Sequence, residues 1–142
     1  MSVSPPDTAE WRLILAAEQH DPDVVKKKEL PQLPGVYLWR HLGESTYVGK
    51  AEVLQDRLST HRGRGLSLAK SSLRRNVAHH LFGLVPAATG TGRQKVTREQ
   101  ADAIAVWIRS MTVAWVKCES VPAAVALETT LRRQWLPPLN VV

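Results

Sequence analysis

Cysteine and long apolar runs are the scarcest features of this 142-residue chain. Cys118 is its single cysteine, which excludes an internal disulfide and any cysteine-rich zinc site. No apolar run approaches the roughly 20 residues that a membrane-spanning helix needs. The N-terminus has no basic segment followed by an apolar stretch, so we expect neither a membrane span nor a secretory signal. These absences predict a cytoplasmic location.

Acidic residues are missing from the middle of the chain. The net charge is +6, yet residues 1–56 carry six Lys/Arg and nine Asp/Glu, and residues 99–142 carry four of each. Residues 57–98 contain nine basic residues and no acid. A solvated basic face is the simplest interpretation of such a run. Its length and the absence of any acid favour a polyanionic partner instead, such as nucleic acid.

The remaining composition, 44% hydrophobic and 23% charged, is typical of one globular domain with a real core. Two β-type runs, 35–40 and 46–50, flank a short turn-rich segment and predict a β-hairpin. Each strand carries one tyrosine, Tyr37 or Tyr47, and a half-buried sheet surface would suit both as ordinary structural residues. A third strand is predicted at 112–118. Apolar periodicity and capping signals predict helices at 8–19, 52–62, 67–82, 98–111 and 121–136, with a linker at 22–34 and a loop at 83–96.

The helix predicted at 52–62 presents two polar side chains beside its apolar stripe. Arg57 and His61 lie four residues apart, so they share the face that Leu54 and Leu58 dock. An isolated histidine on a helix is more often structural than catalytic. Its position on the same face as Arg57 makes both interpretations of His61 equally tenable.

The last helix carries a carboxylate in an apolar stripe, because Ala124, Glu128, Leu131 and Trp135 fall on one face. An unpaired ionised carboxylate would be costly there, so Glu128 must be paired, hydrated or bound to a cation. Arg132, one turn further on, is the simplest partner.

Taken in order, these motifs resemble the GIY-YIG nuclease family. Gly35-Val36-Tyr37 is followed by Tyr47-Val48-Gly49-Lys50, then by Arg57 and His61, and finally by Glu128 and Asn140. The resemblance covers residues 34–62 and 112–140, with a basic insertion between them. Valine replaces the isoleucine of each name-giving tripeptide, which leaves the strands unchanged.

The resemblance implies an α+β fold, with a small three-stranded antiparallel sheet flanked by helices. We divide the chain into an N-terminal helical extension and linker at 1–33 and a nuclease domain at 34–142, together forming one globular unit. A basic helical insertion occupies about 63–111.

The resemblance also implies an enzyme, a divalent-metal-dependent endonuclease that hydrolyses nucleic-acid phosphodiester bonds. Glu128 would be the sole protein carboxylate on one hydrated Mg²⁺ or Mn²⁺. Tyr37 would be the general base, with Lys50 lowering the pKa of its phenol. Tyr47 would hydrogen-bond within the site or to a phosphate oxygen.

Three further residues complete the implied site. Arg57 would bind and neutralise the phosphate. His61 matches a histidine of the restriction-type branch, and Asn140 matches an asparagine that supports the site.

The basic insertion is predicted to bind the nucleic acid, since phosphate contacts by Lys and Arg give sequence-independent affinity. A surface for a partner protein is the alternative. The residues assigned to nucleic-acid binding are Gly49, Arg62, Arg64, Arg74, Arg75, Arg93 and Lys95.

Double-stranded DNA is the expected substrate, and a homodimer would explain cleavage of both strands. A nuclease acting on RNA or single strands, such as a toxin or defence effector, is one alternative. A catalytically silent nucleic-acid-binding module is another.

Overall fold

A three-stranded antiparallel sheet lies at the centre of the computed structural model, which describes residues 4–91 and 94–140. Its strands are β1 (Gly35–His41), β2 (Glu44–Ala51) and β3 (Thr112–Lys117), in the order β2-β1-β3. Leu42 and Gly43 join β1 to β2 with positive φ angles of 51° and 80°, the conformation that a tight two-residue hairpin turn requires. The predicted fold class and all three strands are confirmed, and the hairpin loop is shorter than expected.

Six α-helices surround the sheet in the described part of the chain. They are α1 (Ala9–Leu15), α2 (Leu54–His61), α3 (Ser72–Phe82), α4 (Pro86–Thr89), α5 (Arg98–Arg109) and α6 (Val121–Gln134). A short 3₁₀ turn, Lys27–Glu29, lies in the linker before β1. None of the helices in the described ranges is long and apolar enough to cross a membrane.

Two helices are shorter at one end than the sequence pattern predicts. The first ends at Leu15 because Arg40 of β1 donates a hydrogen bond to the Leu15 carbonyl, at 2.9 Å. The chain then extends so that His20 and Val113 exchange backbone hydrogen bonds. The helix predicted from residue 67 begins at Ser72, because the Ser71 side chain caps its first turn by accepting from the Arg74 N–H. The predicted loop at 83–96 contains α4, which begins at Pro86.

Side chains of β1 alternate between two cores, as the pleat of a strand requires. Val36 and Leu38 pack with α1 and α6, whereas Tyr37 and Trp39 pack with α2, α3 and α5. The first core includes Trp11 of α1, which is fully buried and donates its indole N–H to the Leu131 carbonyl at 3.1 Å. Because helices cover both faces of the sheet, the described part of this short chain buries four aromatic side chains: Trp11, Tyr37, Trp39 and Tyr47.

The outer edge of β2 is closed by the C-terminal segment. Asn140 is 4% exposed; its Oδ1 accepts from the Val48 N–H at 2.9 Å and its Nδ2 donates to the Val48 carbonyl at 2.7 Å. The Leu139 N–H donates to the Thr46 carbonyl, and Asn76 of α3 donates to the Leu139 carbonyl. One amide side chain therefore replaces the strand partner that an edge residue lacks.

We expect Asn140→Ala to lower the free energy of unfolding by about 1–3 kcal/mol, because both backbone groups of Val48 would lose their partners in a buried position. Urea denaturation measures this change. Gln32→Ala removes an exposed amide hydrogen bond to Gln55 and should cost much less. Equal stabilities of Asn140→Ala and the unmodified chain would contradict closure of the strand edge by this side chain.

Candidate active site

A cavity of about 540 Å³ opens at the edge strand β2, between α2, α3 and α6. Helices on both faces of the sheet contribute to it, so residues that point to opposite faces of β2 meet at one opening. Eight residues predicted from the sequence line this cavity: Tyr37, Tyr47, Gly49, Lys50, Arg57, Arg75, Glu128 and Asn140. His61 lies directly behind the cavity wall, against Tyr37. The structure thus brings the two sequence blocks together.

Gly49 is the residue that lets the Tyr37 phenol lie across the neighbouring strand. The two residues are directly paired in the sheet. A Cβ atom on Gly49 would lie 2.4 Å from Tyr37 Oη and 2.5 Å from Cζ, closer than atoms approach without displacement. From the sequence we assigned this glycine to nucleic-acid binding. In the structure, the group it admits is the tyrosine ring.

A chain of hydrogen bonds runs from Tyr37 into the protein. Tyr37 Oη lies 2.7 Å from His61 Nε2, and His61 Nδ1 lies 2.7 Å from Ser71 Oγ. Ser71 also accepts the backbone N–H of Arg74, so the same hydroxyl caps α3 and fixes the imidazole. His61 is fully buried, so it faces Tyr37 rather than the solvent side of α2.

Burial keeps both members of the Tyr37–His61 pair neutral. Desolvation raises the pKa of Tyr37 well above its usual range; Tyr47 and Glu128 add to this increase, and Arg57 opposes it. Desolvation, together with Arg57, Arg75 and Arg74, lowers the pKa of His61 to about 3. At neutral pH the site therefore holds a phenol and an uncharged imidazole.

The second tyrosine has a different partner. Tyr47 Oη lies 2.6 Å from Ser72 Oγ at the first residue of α3. Its ring stacks near that of Tyr37, with centroids 6.4 Å apart. Burial raises the pKa of Tyr47, and the hydrogen bond to Ser72 opposes this increase. Both tyrosine rings lie edge-on to His61, but among the described residues only the Tyr37 hydroxyl is within hydrogen-bond distance of a histidine.

Glu128 is paired, as its place in an apolar stripe predicted. Its carboxylate oxygens lie 3.8 Å from Lys50 Nζ and 3.9 Å from Arg132 Nη1, and its side chain is 11% exposed. Both distances exceed those of hydrogen bonds, and within the described residues the carboxylate accepts none. It therefore faces the cavity with free oxygen lone pairs.

The predicted role of Lys50 needs correction. We expected it to lower the pKa of Tyr37, but its ammonium lies beside Glu128, and Arg57 is the cation that lowers the pKa of Tyr37. The reason is the pleat: Lys50 follows Gly49, so it points to the sheet face opposite the tyrosine ring.

Two arginines on the cavity wall are available for an anion. Arg57 is exposed, and no hydrogen bond or ion pair in the described ranges engages its guanidinium. Arg75 is half-buried and donates to the carbonyls of Leu68 and Ala69 at 3.1 and 2.7 Å, both through Nη1. These bonds hold Arg75 in place through Nη1. Its Nε and Nη2 donate to no group among the described residues and could bind an anion.

Two of the predicted phosphate contacts have structural roles instead. Arg74 is 4% exposed and donates to the carbonyls of Ser67 and Gly65, so it ties down the preceding loop and cannot reach a phosphate. Arg62 donates to the carbonyls of Pro22 and Val25, which anchors the linker. The basic segment of the sequence did not show which arginines have structural roles, because sequence alone does not distinguish a buried guanidinium from an exposed one.

The other basic residues of the predicted set differ in position. Arg64 and Lys95 are exposed, and neither lines the catalytic cavity. Arg93 lies outside the described residues.

Three residues of the site were not assigned from the sequence. Ser71 and Ser72 precede a helical run, and this N-cap signal could have identified them. Arg132 was considered only as the ion-pair partner of Glu128, but it also lines the cavity.

Comparison with known proteins supplies the family. Residues 37–142 match the GIY-YIG catalytic domain family. Among solved structures, the chain is similar to the GIY-YIG N-terminal endonuclease domain of UvrC from Thermotoga maritima bound to magnesium, with 18% identity, a TM-score of 0.45, and coverage of 96% of this chain and 100% of that one. A tyrosine-to-phenylalanine mutant of the same domain, bound to the catalytic divalent cation, gives 18% identity and a TM-score of 0.46 at the same coverage. No curated protein sequence matches the chain.

We expect Gly49→Ala to destabilise the fold by about 1–3 kcal/mol, because the added methyl group overlaps the Tyr37 ring. Gly65→Ala is the matched control, since a Cβ there meets nothing within 4 Å. Denaturant unfolding compares them. Adding Tyr37→Phe should relieve part of the cost by removing the nearest atom, and a cost independent of residue 37 would contradict this packing.

The buried imidazole makes stability sensitive to acid. The pKa of His61 is about 3 in the fold, against 6.5 ordinarily, so on acidification the unfolded chain binds the proton first. The stability that the folded chain has because His61 is neutral is fully present above pH 6.5. It is lost as pH falls toward 3, by about 1.4 kcal/mol of unfolding free energy per pH unit. Unfolding free energies across this range should fall less steeply for His61→Gln.

His79→Gln, which removes an exposed histidine of α3, controls for the loss of one titratable group. Equal acid slopes for the unmodified chain and His61→Gln would contradict a neutral buried imidazole.

Proposed function

The chain belongs to the GIY-YIG catalytic domain family and is a nuclease, and we propose from that premise that it is an endonuclease acting on double-stranded DNA. The observation that carries the proposal is the 2.7 Å contact between Tyr37 Oη and His61 Nε2, at a cavity also lined by Glu128 and Arg57. This geometry supports the proposal, because a proton acceptor, a hard oxygen ligand and a phosphate-binding cation would then lie around one opening.

The donor set fits a single hydrated Mg²⁺ or Mn²⁺. Glu128 offers oxygen atoms that accept no hydrogen bond from the described residues, and carboxylate oxygen is the ligand these cations prefer. In the described part of the chain, no three His, Cys, Asp or Glu side chains are grouped closely enough to hold a metal. A cation that keeps most of its waters suits a site with one carboxylate. When bound, it would supply Lewis-acid stabilisation of negative charge on the phosphate.

Tyr37 and His61 would move the proton of the attacking water. With Nδ1–H donating to Ser71, the lone pair on His61 Nε2 accepts the Tyr37 hydroxyl proton, while the phenol oxygen takes a proton from water. The phenol remains neutral throughout, which avoids a buried tyrosinate. Tyr37 is thus the group that contacts the water, and the proton comes to rest on His61.

Bound substrate would favour this transfer. Desolvation is the main cause of the low pKa of His61, and Arg57, Arg75 and Arg74 add to it. A phosphate bound by Arg57 and Arg75 would offset their part of the decrease and leave the part due to desolvation. Substrate binding would therefore raise the pKa of His61 and make the imidazole a better proton acceptor.

The other site residues support this arrangement. Arg57, whose planar guanidinium has no partner among the described residues, suits bidentate contact with a phosphate. Lys50 and Arg132 form ion pairs with Glu128. Tyr47 holds the edge strand against α3, and Asn140 joins it to the C-terminal segment. Exposed Arg64 and Lys95 provide further contacts to the DNA backbone. Cleavage of both strands would need two sites or two events, and a homodimer would supply two sites.

The chain should nick supercoiled plasmid in Mg²⁺ or Mn²⁺, and chelation should stop it. We expect Glu128→Gln to reduce the rate about 100-fold or more, since the lost cation contributes several kcal/mol. Glu119→Gln, which alters an exposed carboxylate, should retain activity. Absence of nicking with either cation would overturn the proposed function.

In the same assay Tyr37→Phe should reduce the nicking rate about 100-fold or more, which is the usual contribution of a general base, while DNA binding is retained. A rate close to that of the unmodified chain would show that the proton leaves by another route.

A further inference from the structure

A second cavity of about 580 Å³ lies beside the catalytic one. The two share part of their walls, formed by Glu52, Arg57, Ser72 and Arg75. The second cavity extends away from Glu128 toward Thr60 of α2 and Lys70 of the loop before α3. The hydrolysis described above uses none of the residues that line this cavity alone.

Arg75 separates the two cavities in a fixed position. Its Nη1 donates to two carbonyls of the loop, and its stem packs close to Gly90, where an added Cβ would lie 3.3 Å from Cδ of Arg75. Contacts from the loop and from the end of α4 therefore hold the guanidinium. Its place on both walls allows it to contact anions in either cavity.

Cations line the α3 side of the second cavity. Lys70 is exposed, with no ion pair among the described residues, and Arg75 completes this side. Glu52, Asp56 and Arg57 line the α2 side. An anion in this cavity would therefore lie toward Lys70 and Arg75, away from the two carboxylates.

We propose that this second cavity binds a phosphate of the substrate strand next to the one that is cleaved. The inference rests on the proposed function, because it extends the strand held in the catalytic cavity. A nucleic-acid strand carries one negative charge per nucleotide, so a phosphate held at Arg57 and Glu128 brings its neighbours close to the wall formed by Arg75. Lys70 is the residue that contacts only the neighbouring phosphate.

The test measures binding in protein that cannot cut. With Glu128→Gln present throughout, the affinity for a short fluorescent DNA duplex is followed against salt for Lys70→Ala, Lys70→Arg and Lys28→Ala. Lys28 is an exposed lysine of the linker and lines neither cavity. We expect Lys70→Ala to weaken binding about twofold to fivefold and to reduce the salt slope by about 0.9, the loss of one phosphate contact. Lys70→Arg and Lys28→Ala should keep the original slope.

A second arm locates the phosphate. Duplexes with one uncharged methylphosphonate linkage, on either side of the cleavage position, replace the unmodified DNA. Neutralising the contacted linkage should weaken binding by the protein with Lys70 more than binding by Lys70→Ala, which keeps only Arg75 against that phosphate. Equal slopes for Lys70→Ala and Lys28→Ala, or equal sensitivity to both linkages with and without Lys70, would overturn the proposal.

These outcomes are independent of cleavage. If the chain never nicks DNA but Lys70→Ala has the expected effects on binding, the second phosphate site is supported and the proposed nuclease activity is wrong. If the chain nicks DNA but Lys70→Ala lacks these effects, the nuclease activity is supported and the second phosphate site is wrong.

Discussion

The packing of Tyr37 against Gly49 is the constraint on which the site depends. The phenol crosses a neighbouring strand at a position where any side chain would overlap it, and this places Oη 2.7 Å from His61. His61 in turn depends on Ser71, whose hydroxyl also begins α3. A change at one glycine would therefore move the ring, the imidazole and a helix terminus together, which explains why these four groups form one unit.

The edge strand β2 imposes a second requirement. An open strand edge carries unpaired backbone groups, and here Asn140 and Leu139 satisfy them from the last described residues. The same closure brings Asn140 to the wall of the cavity that Tyr47 also lines. Stability of the sheet and construction of the site are thus linked through one asparagine, so a loss of activity at this position has to be separated from a loss of fold.

Charge in the basic segment is divided between structure and surface. Arg62 and Arg74 are engaged by backbone carbonyls and line neither cavity, whereas exposed Arg57 and half-buried Arg75 line both cavities. Desolvation is the main cause of the low pKa of His61, and Arg57 and Arg75 add to it. The guanidinium groups that line the cavities therefore help to keep the buried imidazole neutral.

The sequence by itself determined the strands, most helices and eight of the residues that line the candidate cavity. Periodicity and turn chemistry are local, so β1, β2, β3 and the helix bearing Glu128 could be predicted to within a few residues. The order of tyrosines, Arg57 and Glu128 was enough to indicate the family. The buried carboxylate could also be predicted to need a partner, because an acid in an apolar stripe is costly wherever the helix packs.

Only the tertiary structure decided which partners these residues have. Lys50 pairs with Glu128 because α6 covers the sheet face to which Lys50 points. Arg74 is buried by a loop that no periodicity describes, and His61 meets Tyr37 because Gly49 leaves space for the ring. Such contacts depend on distances between segments far apart in the chain. Sequence patterns report the preferences of each segment, whereas burial and pKa depend on what packs against it.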